Sequence, residues 1–260
     1  MDTFYEGEHS IIFGSKHSWE DWKLIPTKRY SIPPPEIDTK LIEIPGSSGF
    51  LDLTSSLTGF PMYKKRECQF EFYVAHDQSD MPWDRLYAQI VGYLHGMTRN
   101  LILTDDPGYY YTGYFEVENF TSGKSYSSIS IKATLQPYKW LRWTTLEEWM
   151  WDPFDFIYGE ITQSMFKDIT VTSGSQNFRR WEARHVGTAP VCPKITVDGG
   201  TMTLKIDNHG TGKGVKTFTL QNGLNDNPQI MLCCPDPDDY INMTIEGSGT
   251  VSFDFRPGGI

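Results

Sequence analysis

LIEIPGSSGFLDL, residues Leu41 to Leu53, reads as a strand, a turn and a second strand. Apolar residues at Ile42 and Ile44 lead into a cluster of Pro, Gly and Ser, and Leu51 and Leu53 follow it. Alternating apolar positions on both sides of such a turn are typical of a β-hairpin. A long hairpin with few partners near it in the sequence usually needs another chain to bury its side chains.

The chain enters this hairpin through a segment that cannot be helical. Three consecutive prolines, Pro33 to Pro35, precede it. Proline lacks a backbone N–H and holds the residue before it at extended angles. The sequence therefore predicts an extended arm that continues into a hairpin, together covering about residues 30–53.

The chain is long enough to bury a hydrophobic core, and its cysteines do not indicate a metal site. At 260 residues, one large all-β domain or two of medium size are possible. The four cysteines, Cys68, Cys192, Cys233 and Cys234, form no CxxC pair, so buried reduced thiols are expected rather than a metal site. The first residues lack the features of a signal peptide, and no stretch approaches the ~20 apolar residues of a membrane helix. These features favour synthesis in a reducing cytoplasm.

The charge of the chain argues against general binding to nucleic acid or anionic membranes. The formal net charge is −10. Divided at residue 140, the chain carries 13 basic and 18 acidic residues before the division and 10 and 15 after it, so each part has a charge of −5. One local basic cluster, Lys64-Lys65-Arg66, is interpreted as the solvated start of a strand.

Residues 1–140 are predicted to form a β-sandwich with one helix. Residues Lys64 to Val74 alternate between apolar and polar positions, as in a half-buried strand. A helix is predicted over about residues 82–97, with Pro82 just inside its start and Ser79 or Asp80 as its cap. Its apolar stripe comprises Trp83, Leu86, Ile90, Leu94 and Met97. Further strands are predicted at Asn100 to Thr104, Tyr114 to Phe120 and Ser127 to Gln136.

The remainder of the chain is predicted to be a linker and a second β-sandwich. Residues 141–155 break the pattern with several tryptophans among charges, and residues 156–260 return to alternation between turn clusters. The fold class is therefore all-β, with two sandwiches and one helix in the first. Alternation alone does not choose between types of sandwich. The clearest strands of the second domain are Thr201 to Asp207, Thr217 to Leu220, Tyr240 to Ile245 and Thr250 to Phe255.

No catalytic or metal site can be singled out, and neither an enzyme nor a cofactor is expected. Asp105-Asp106 and the three acidic residues of PDPDDY stand in turn-forming contexts without the spacing of a calcium loop. The six histidines are scattered, and no HExxH motif, nucleophile elbow or phosphate loop occurs. GTGKG, residues 210–214, is interpreted as a hairpin tip because no helix follows it.

Five segments in fixed order resemble the distal tail proteins of long-tailed phages. The hairpin itself carries the family's IPG-x-x-G-x-LDLT pattern. The other four segments are FGSKHSWEDWKLIP from Phe13, LHGMTRNLILTDDPGYYYTGYF from Leu94, GTAPVCPKITVDG from Gly187 and the final VSFDFRPGGI. Together they span most of the chain, and the first half matches better than the second.

This resemblance implies a structural role in the virion. Proteins of the family form a hexameric ring at the tail tip, around the channel through which DNA leaves without specific binding. The first domains build the ring, a hairpin arm called the belt clasps the next subunit, and galectin-like second domains project outward. The implied partners are the major tail tube protein, a tail-tip hub or tail-associated lysin protein, and a receptor-binding protein or host glycan. The implied belt contacts are Ile32, Pro34, Ile37, Ile42, Ile44, Pro45, Leu51 and Leu53.

Two other hypotheses stay open on the sequence. The chain would be a carbohydrate-binding adhesion module if Trp181, Glu182 and Arg184 corresponded to the tryptophan, glutamate and arginine of galectin sugar sites, which they resemble. The His-x-Asn-x-Arg strand that accompanies those residues in galectins is absent. A cell-wall glycosidase would need a paired acid and base, and no such pair stands out.

Overall fold

The computed structural model describes residues 7–46, 48–56, 58–75, 81–123, 126–147, 163–209 and 214–260. The chain divides into two compact units, the first comprising Met1–Glu36 and Tyr63–Lys139 and the second Ile37–Met62 and Trp140–Ile260. The division after Lys139 lies beside the boundary expected at residue 140. The hairpin segment groups with the second unit, whereas the sequence assigns it to the first domain.

Strands dominate both units. In chain order the elements are β1 (Ile11–Phe13), β2 (Lys16–His17), β3 (Ile25–Pro26), β4 (Leu41–Glu43), β5 (Phe50–Asp52), β6 (Arg66–Ala75), α1 (Trp83–Leu94), β7 (Met97–Leu103), β8 (Tyr109–Ser122), β9 (Tyr126–Leu135), β10 (Lys139–Leu141), α2 (Gln163–Phe166), β11 (Ile169–Val171), β12 (Gln176–Glu182), α3 (Ala183–Val186), β13 (Lys194–Gly199), β14 (Met202–Asn208), β15 (Lys216–Leu220), β16 (Gly223–Asn225), β17 (Tyr240–Glu246), β18 (Gly249–Asp254) and β19 (Gly258–Gly259).

One antiparallel sheet, in the order β2-β1-β7-β8-β9-β6-β3, forms the first unit. Strands β1 and β6 are four positions apart, which is about 19 Å in a flat sheet. The rings of Phe13 in β1 and Phe70 in β6 nevertheless lie only 6.3 Å apart between centroids. The sheet therefore rolls over and encloses its own core in two layers.

Helix α1 covers this core with the stripe that its sequence predicts. Trp83, Leu86, Ile90 and Leu94 are all buried, which confirms four of the five predicted positions. The prediction for the fifth position, Met97, was wrong. The helix ends before Gly96, which has a φ of +76°. Met97 is instead the first residue of β7, and its side chain is 46% exposed. A residue with positive φ cannot continue a right-handed helix. The predicted caps Ser79 and Asp80 lie outside the described residues.

The predicted strands of the first half are confirmed as strands, although their ends differ from the predicted ones. In β6, Phe70, Phe72 and Val74 point into the core, and the intervening residues are exposed. In β9 the buried apolar side chains are Ile129, Ile131, Ala133 and Leu135, and Ser127 and Ser130 are buried as well. The observed β6 begins at Arg66 rather than at Lys64, two residues later than predicted.

Two four-stranded antiparallel sheets form the sandwich of the second unit. Their orders are β11-β18-β13-β16 and β12-β17-β14-β15. Met202, Leu204 and Ile206 of β14 point inward, as the alternation predicts, and pack in the same core as Val251 and Phe253 of β18. Two facing sheets that share one apolar core confirm the predicted sandwich.

Part of the predicted linker belongs to this sandwich. The Leu141 N–H donates to the Pro257 carbonyl at 3.0 Å, and the Thr145 N–H donates to the Phe255 carbonyl at 3.0 Å. The Thr145 hydroxyl is buried and donates to the Phe253 carbonyl at 2.6 Å. Residues 141–147 are therefore held against the C-terminal strands, which corrects the interpretation of this stretch as a linker. The remainder of the predicted linker lies outside the described residues.

Close backbone contacts account for glycines in two of the segments that carry the family resemblance. Gly187, with a φ of +88°, pairs with Gly258 in a parallel bridge, where a Cβ on Gly187 would overlap the Gly258 backbone. A Cβ on Gly113 would lie 2.6 Å from the Thr134 carbonyl oxygen. At these positions only glycine lets the neighbouring strand approach.

All four cysteines are free, and their burial differs from the expectation. Cys233 and Cys234 are buried and Cys68 is half-buried, but Cys192 is exposed. Burial raises the pKa of Cys68, Cys233 and Cys234 to about 12, so these thiols stay protonated at neutral pH. Among the described residues, no helix has the length and apolar character needed to span a membrane.

Candidate interaction surface

The segment quoted at the outset forms an isolated two-stranded ribbon, as predicted. Within the part of the chain that the structure describes, strands β4 and β5 pair only with each other, with Ile42 opposite Leu51 and Glu43 opposite Phe50. Gly46 occupies the connecting turn with a φ of +80°, a conformation that glycine adopts without steric cost.

Local hydrogen bonds close the base of the ribbon. The Leu53 N–H donates to the Lys40 carbonyl at 2.8 Å, and the Lys40 N–H donates to the Thr54 hydroxyl at 3.1 Å. The hydroxyl and N–H of Thr54 both bond the Asp52 carboxylate, and these bonds lower the pKa of Asp52 below its usual value. Polar contacts therefore hold the stem of the ribbon together.

Both faces of the ribbon are exposed in the single chain. Every residue of β4 and β5 is exposed. Exposed apolar surface on this scale marks interaction sites in soluble proteins, and a lone two-stranded hairpin is marginally stable in water. In residues 37–62, which include the hairpin and its flanks, the large apolar side chains that are between 45% and 61% exposed are Ile37, Leu41, Ile42, Ile44, Phe50, Leu51 and Met62.

The structure brings most of the predicted contact residues to this surface, but not all of them. The exposed residues of the predicted set are Pro34, Ile37, Ile42, Ile44, Pro45 and Leu51. Leu53 is half-buried, and Ile32 packs against the core of the first unit. Ile32 therefore contacts its own domain while remaining half-buried, and its role in a subunit contact stays a prediction.

Sequence reasoning missed three residues of this surface. Leu41, Phe50 and Met62 were not among the predicted contacts, although Phe50 is 61% exposed. The alternation was interpreted as one apolar face, whereas Leu41 and Phe50 lie on the opposite face from Ile42 and Leu51. The sequence did contain a signal: each short strand has two consecutive large apolar residues, and consecutive residues of a strand point to opposite faces.

A buried arginine anchors the start of the arm. The Nε atom of Arg66 donates to the Pro137 carbonyl at 2.8 Å, and Nη1 donates to the Pro33 carbonyl at 3.0 Å. Arg66 is only 4% exposed, and its guanidinium lies 5.4 Å from the centre of the Tyr111 ring. Desolvation lowers the pKa of Arg66 from its usual value, although the group stays charged.

This finding corrects the interpretation of the basic cluster. Arg66 does not solvate the start of β6 but ties it to the first proline of the arm. The two lysines are exposed and paired, Lys64 with Glu36 at 3.4 Å and Lys65 with Glu67 at 2.8 Å. Neither the arginine nor the lysines form a free basic stripe at this position.

The candidate sugar contacts are separated by burial. Trp181 is fully buried, with Phe166 at 4.3 Å and Phe253 at 5.2 Å between ring centroids. A buried ring has no face on which a sugar can stack, so Trp181 belongs to the core. Glu182 and Arg184 remain exposed and form an ion pair of 2.8 Å at the start of α3.

The acidic clusters have structural partners. Asp105 accepts from His9 at 2.8 Å and from Arg29 at 3.1 Å, and Asp106 pairs with Lys139 at 2.9 Å. Asp239 bonds His209 at 3.0 Å. Within the described ranges, no group of three or more His, Cys, Asp or Glu residues is arranged to hold a metal ion.

Comparison with known proteins finds similarity at the level of the fold. No protein-family model and no curated protein match this chain. Among solved structures, it is similar to the SPP1 Dit (gp 19.1) protein, described as a paradigm of the hub adsorption apparatus in phages that infect Gram-positive bacteria. The likeness covers 96% of this chain and 99% of that one, with a TM-score of 0.58 and 13% sequence identity. The chain therefore has the all-β, two-domain fold that its motifs imply.

Proposed function

We propose that this protein is a structural component of a phage tail tip, of the distal tail protein type, that acts as a closed ring of six copies. Three findings support the proposal: the ordered motifs, the fold they imply, and the unpartnered hairpin. The hairpin carries most of the argument, because its exposed apolar side chains need a second chain to cover them.

A ring follows when one surface of each copy docks on a different surface of the next. Such head-to-tail contacts repeat until they close. The hairpin has five exposed large apolar residues, and at about 90 Å² each, roughly half of a large side chain, they offer on the order of 450 Å². At about 25 cal/mol per Å² its burial contributes on the order of 11 kcal/mol, which lies within the ~4–15 kcal/mol lost on association, so further contacts between the copies must add to it.

In this proposal the protein is a scaffold rather than an enzyme. One side of the ring joins the tail tube protein and the other the tip hub or tail-associated lysin protein. The second unit, a galectin-like sandwich, holds a receptor-binding protein or faces host glycans. The protein is made in the host cytoplasm and resides in the virion. DNA passes the ring without specific binding, since the chain carries a net charge of −10.

The mass in solution tests the proposal. Light scattering on the purified full-length protein should give six copies of the 29.8 kDa chain, about 179 kDa, in a concentration-dependent equilibrium with smaller species. A variant with Leu41 to Leu53 replaced by a Gly-Ser linker of equal length should be monomeric. Leu224→Ser, which removes an equally exposed apolar side chain elsewhere, serves as the control and should keep the ring. A wild-type protein that stays monomeric at high concentration would overturn the proposal.

A further inference from the structure

We propose that the outer face of one sheet in the second unit carries a binding site for a neutral glycan, with Arg180, Asn242 and Asp207 at its centre. The sheet is β12-β17-β14-β15, and its inner face forms part of the sandwich core. The inference rests on the proposed function, in which the second unit faces host glycans, and it assigns that contact to particular side chains.

The strand register places these three residues side by side, and they are called the central row below. Arg180 of β12 is opposite Asn242 of β17, and Asn242 is opposite Asp207 of β14. All three point away from the core, because a buried apolar residue stands next to each of them in its strand. Neighbouring strands are about 4.8 Å apart, so the row is about 10 Å long, which is the scale of a disaccharide.

The polar groups of the central row are available to a ligand. Within the described ranges, neither the Asn242 amide nor the Asp207 carboxylate has a hydrogen bond or ion pair to the rest of the chain, and both residues are half-exposed. The end of the same face is different, since Glu246 accepts from Lys205 at 2.7 Å and from Gln176 at 2.6 Å. The bond from Lys205, assisted by Gln176, lowers the pKa of Glu246 below its usual value. This network satisfies itself, whereas the central row leaves its donors and acceptors open.

A stack of rings holds the guanidinium of Arg180 in place. Its central carbon lies 3.8 Å from the centre of the Tyr240 ring. The imidazole of His209 stacks on the same ring at 4.4 Å between centroids, and its Nδ1 atom lies 3.0 Å from the Asp239 carboxylate. Two groups so close to one ring centre cannot share a face, so both faces of Tyr240 are occupied. Tyr240 therefore positions the guanidinium and does not itself stack on a sugar.

An exposed aromatic ring lies beside the central row. Phe178 precedes Arg180 by two residues in β12, so it points to the same side of the sheet, and it is 58% exposed. A sugar ring has an apolar face of C–H groups, which packs on an aromatic ring, and hydroxyl groups at its edge that both donate and accept. Arg180 donates, Asp207 accepts, and the Asn242 amide does both. The face thus offers one stacking ring and a set of polar groups that matches a polyhydroxylated ligand.

Area and charge favour a neutral glycan over a protein or a nucleic acid. Among the described residues of this face, Phe178 is the one large apolar side chain that is more than half exposed. A stable protein interface needs about 800 Å² on each partner, with an apolar centre. The carboxylates of Glu182, Asp207 and Glu246 lie on the same face and would repel a phosphate backbone.

Saturation-transfer NMR on the full-length protein tests the site. Lactose, maltose, cellobiose and N,N′-diacetylchitobiose are the neutral probes, at millimolar concentration, and sialyllactose is the anionic one. At least one neutral probe should receive saturation and should bind more tightly than sialyllactose. The absence of transfer to every neutral probe, or tighter binding of sialyllactose, would overturn the inference.

Substitutions then locate the bound probe. Asn242→Ala and Phe178→Ala should each raise its Kd about tenfold or more, because they remove hydrogen bonds of the central row and the stacking ring. Tyr126→Ala is the matched control, since it removes an aromatic side chain that is 59% exposed in the first unit, and it should leave the Kd unchanged. Circular dichroism should show an intact fold in all three variants. Equal Kd values for Asn242→Ala and Tyr126→Ala would mean that the glycan binds elsewhere.

Light scattering on the same samples separates this inference from the proposed function. The Asn242→Ala and Phe178→Ala variants should assemble like the wild type, because the hairpin is unchanged. Rings that assemble but bind no neutral probe would overturn the inference and leave the ring intact. A wild-type chain that binds a probe but never assembles would instead overturn the proposed ring.

Discussion

Replacing Arg66 should destabilise the first unit and loosen the arm that leads to the hairpin. Its guanidinium donates to the carbonyls of Pro33 and Pro137, and the residue is 4% exposed. Arg66→Ala removes these bonds, and water can then solvate the two carbonyl groups only in part. Hydrogen bonds to charged groups contribute about 1.5–3 kcal/mol each, and partial rehydration recovers part of that amount. We expect a loss of about 3 kcal/mol in the free energy of unfolding, at the high end for single substitutions.

Urea unfolding of the full chain, followed by circular dichroism, measures this loss. Arg66→Lys keeps the charge but cannot span both carbonyls, so it should lie between the wild type and the alanine variant. Lys65→Ala changes an exposed neighbour whose ion pair with Glu67 is screened by solvent and contributes little to stability. Assembly should also weaken in Arg66→Ala, because the arm begins at a carbonyl that Arg66 fixes. If Arg66→Ala and Lys65→Ala unfold at the same urea concentration, the anchoring role is wrong.

Four further outcomes are expected. A fragment of residues 140–260 should unfold at higher urea concentration than one of 156–260, since Leu141 and Thr145 bond the C-terminal strands; equal midpoints would contradict this. Trp181→Ala should cost about 3–5 kcal/mol of stability in urea titrations and leave any glycan affinity unchanged. Purified rings should not bind duplex DNA at low salt in anisotropy titrations; tight, salt-sensitive binding would show that the net charge misleads. Asp21 has a pKa lowered by its bonds to Lys16 and to the His17 N–H, so the stability that it contributes is present above its ordinary pKa of 3.8 and is lost as the pH falls below it; Asp21→Asn should flatten acid unfolding curves in that range.

Local patterning in the sequence was sufficient for the longer elements that bury one side. The alternation in β6, β9 and β14 and the stripe of α1 each record which side of an element is buried, and burial of one side leaves a period of two or 3.6 residues in the chain. The hairpin could be predicted because apolar residues stand on both sides of a turn rich in Pro, Gly and Ser. The end of α1 was misplaced because Met97 continued the apolar spacing, and only the backbone shows that Gly96 interrupts the helix there.

Burial that depends on distant segments could not be predicted. Arg66 is buried because it bonds the carbonyls of Pro33 and Pro137, which are 33 and 71 residues away from it along the chain. The sequence around Arg66 does not distinguish it from the exposed lysines that precede it. Trp181 likewise lies in the core through contacts with Phe166 and Phe253, although exposed charges flank it in the sequence. The sequence identified the hairpin as a surface for another chain, but the exposure of Leu41 and Phe50 on its second face became visible only once the fold left both sides uncovered. Side-chain parity along a strand distinguishes its two faces, whereas the solvent or protein that covers each face is determined by residues far away in sequence.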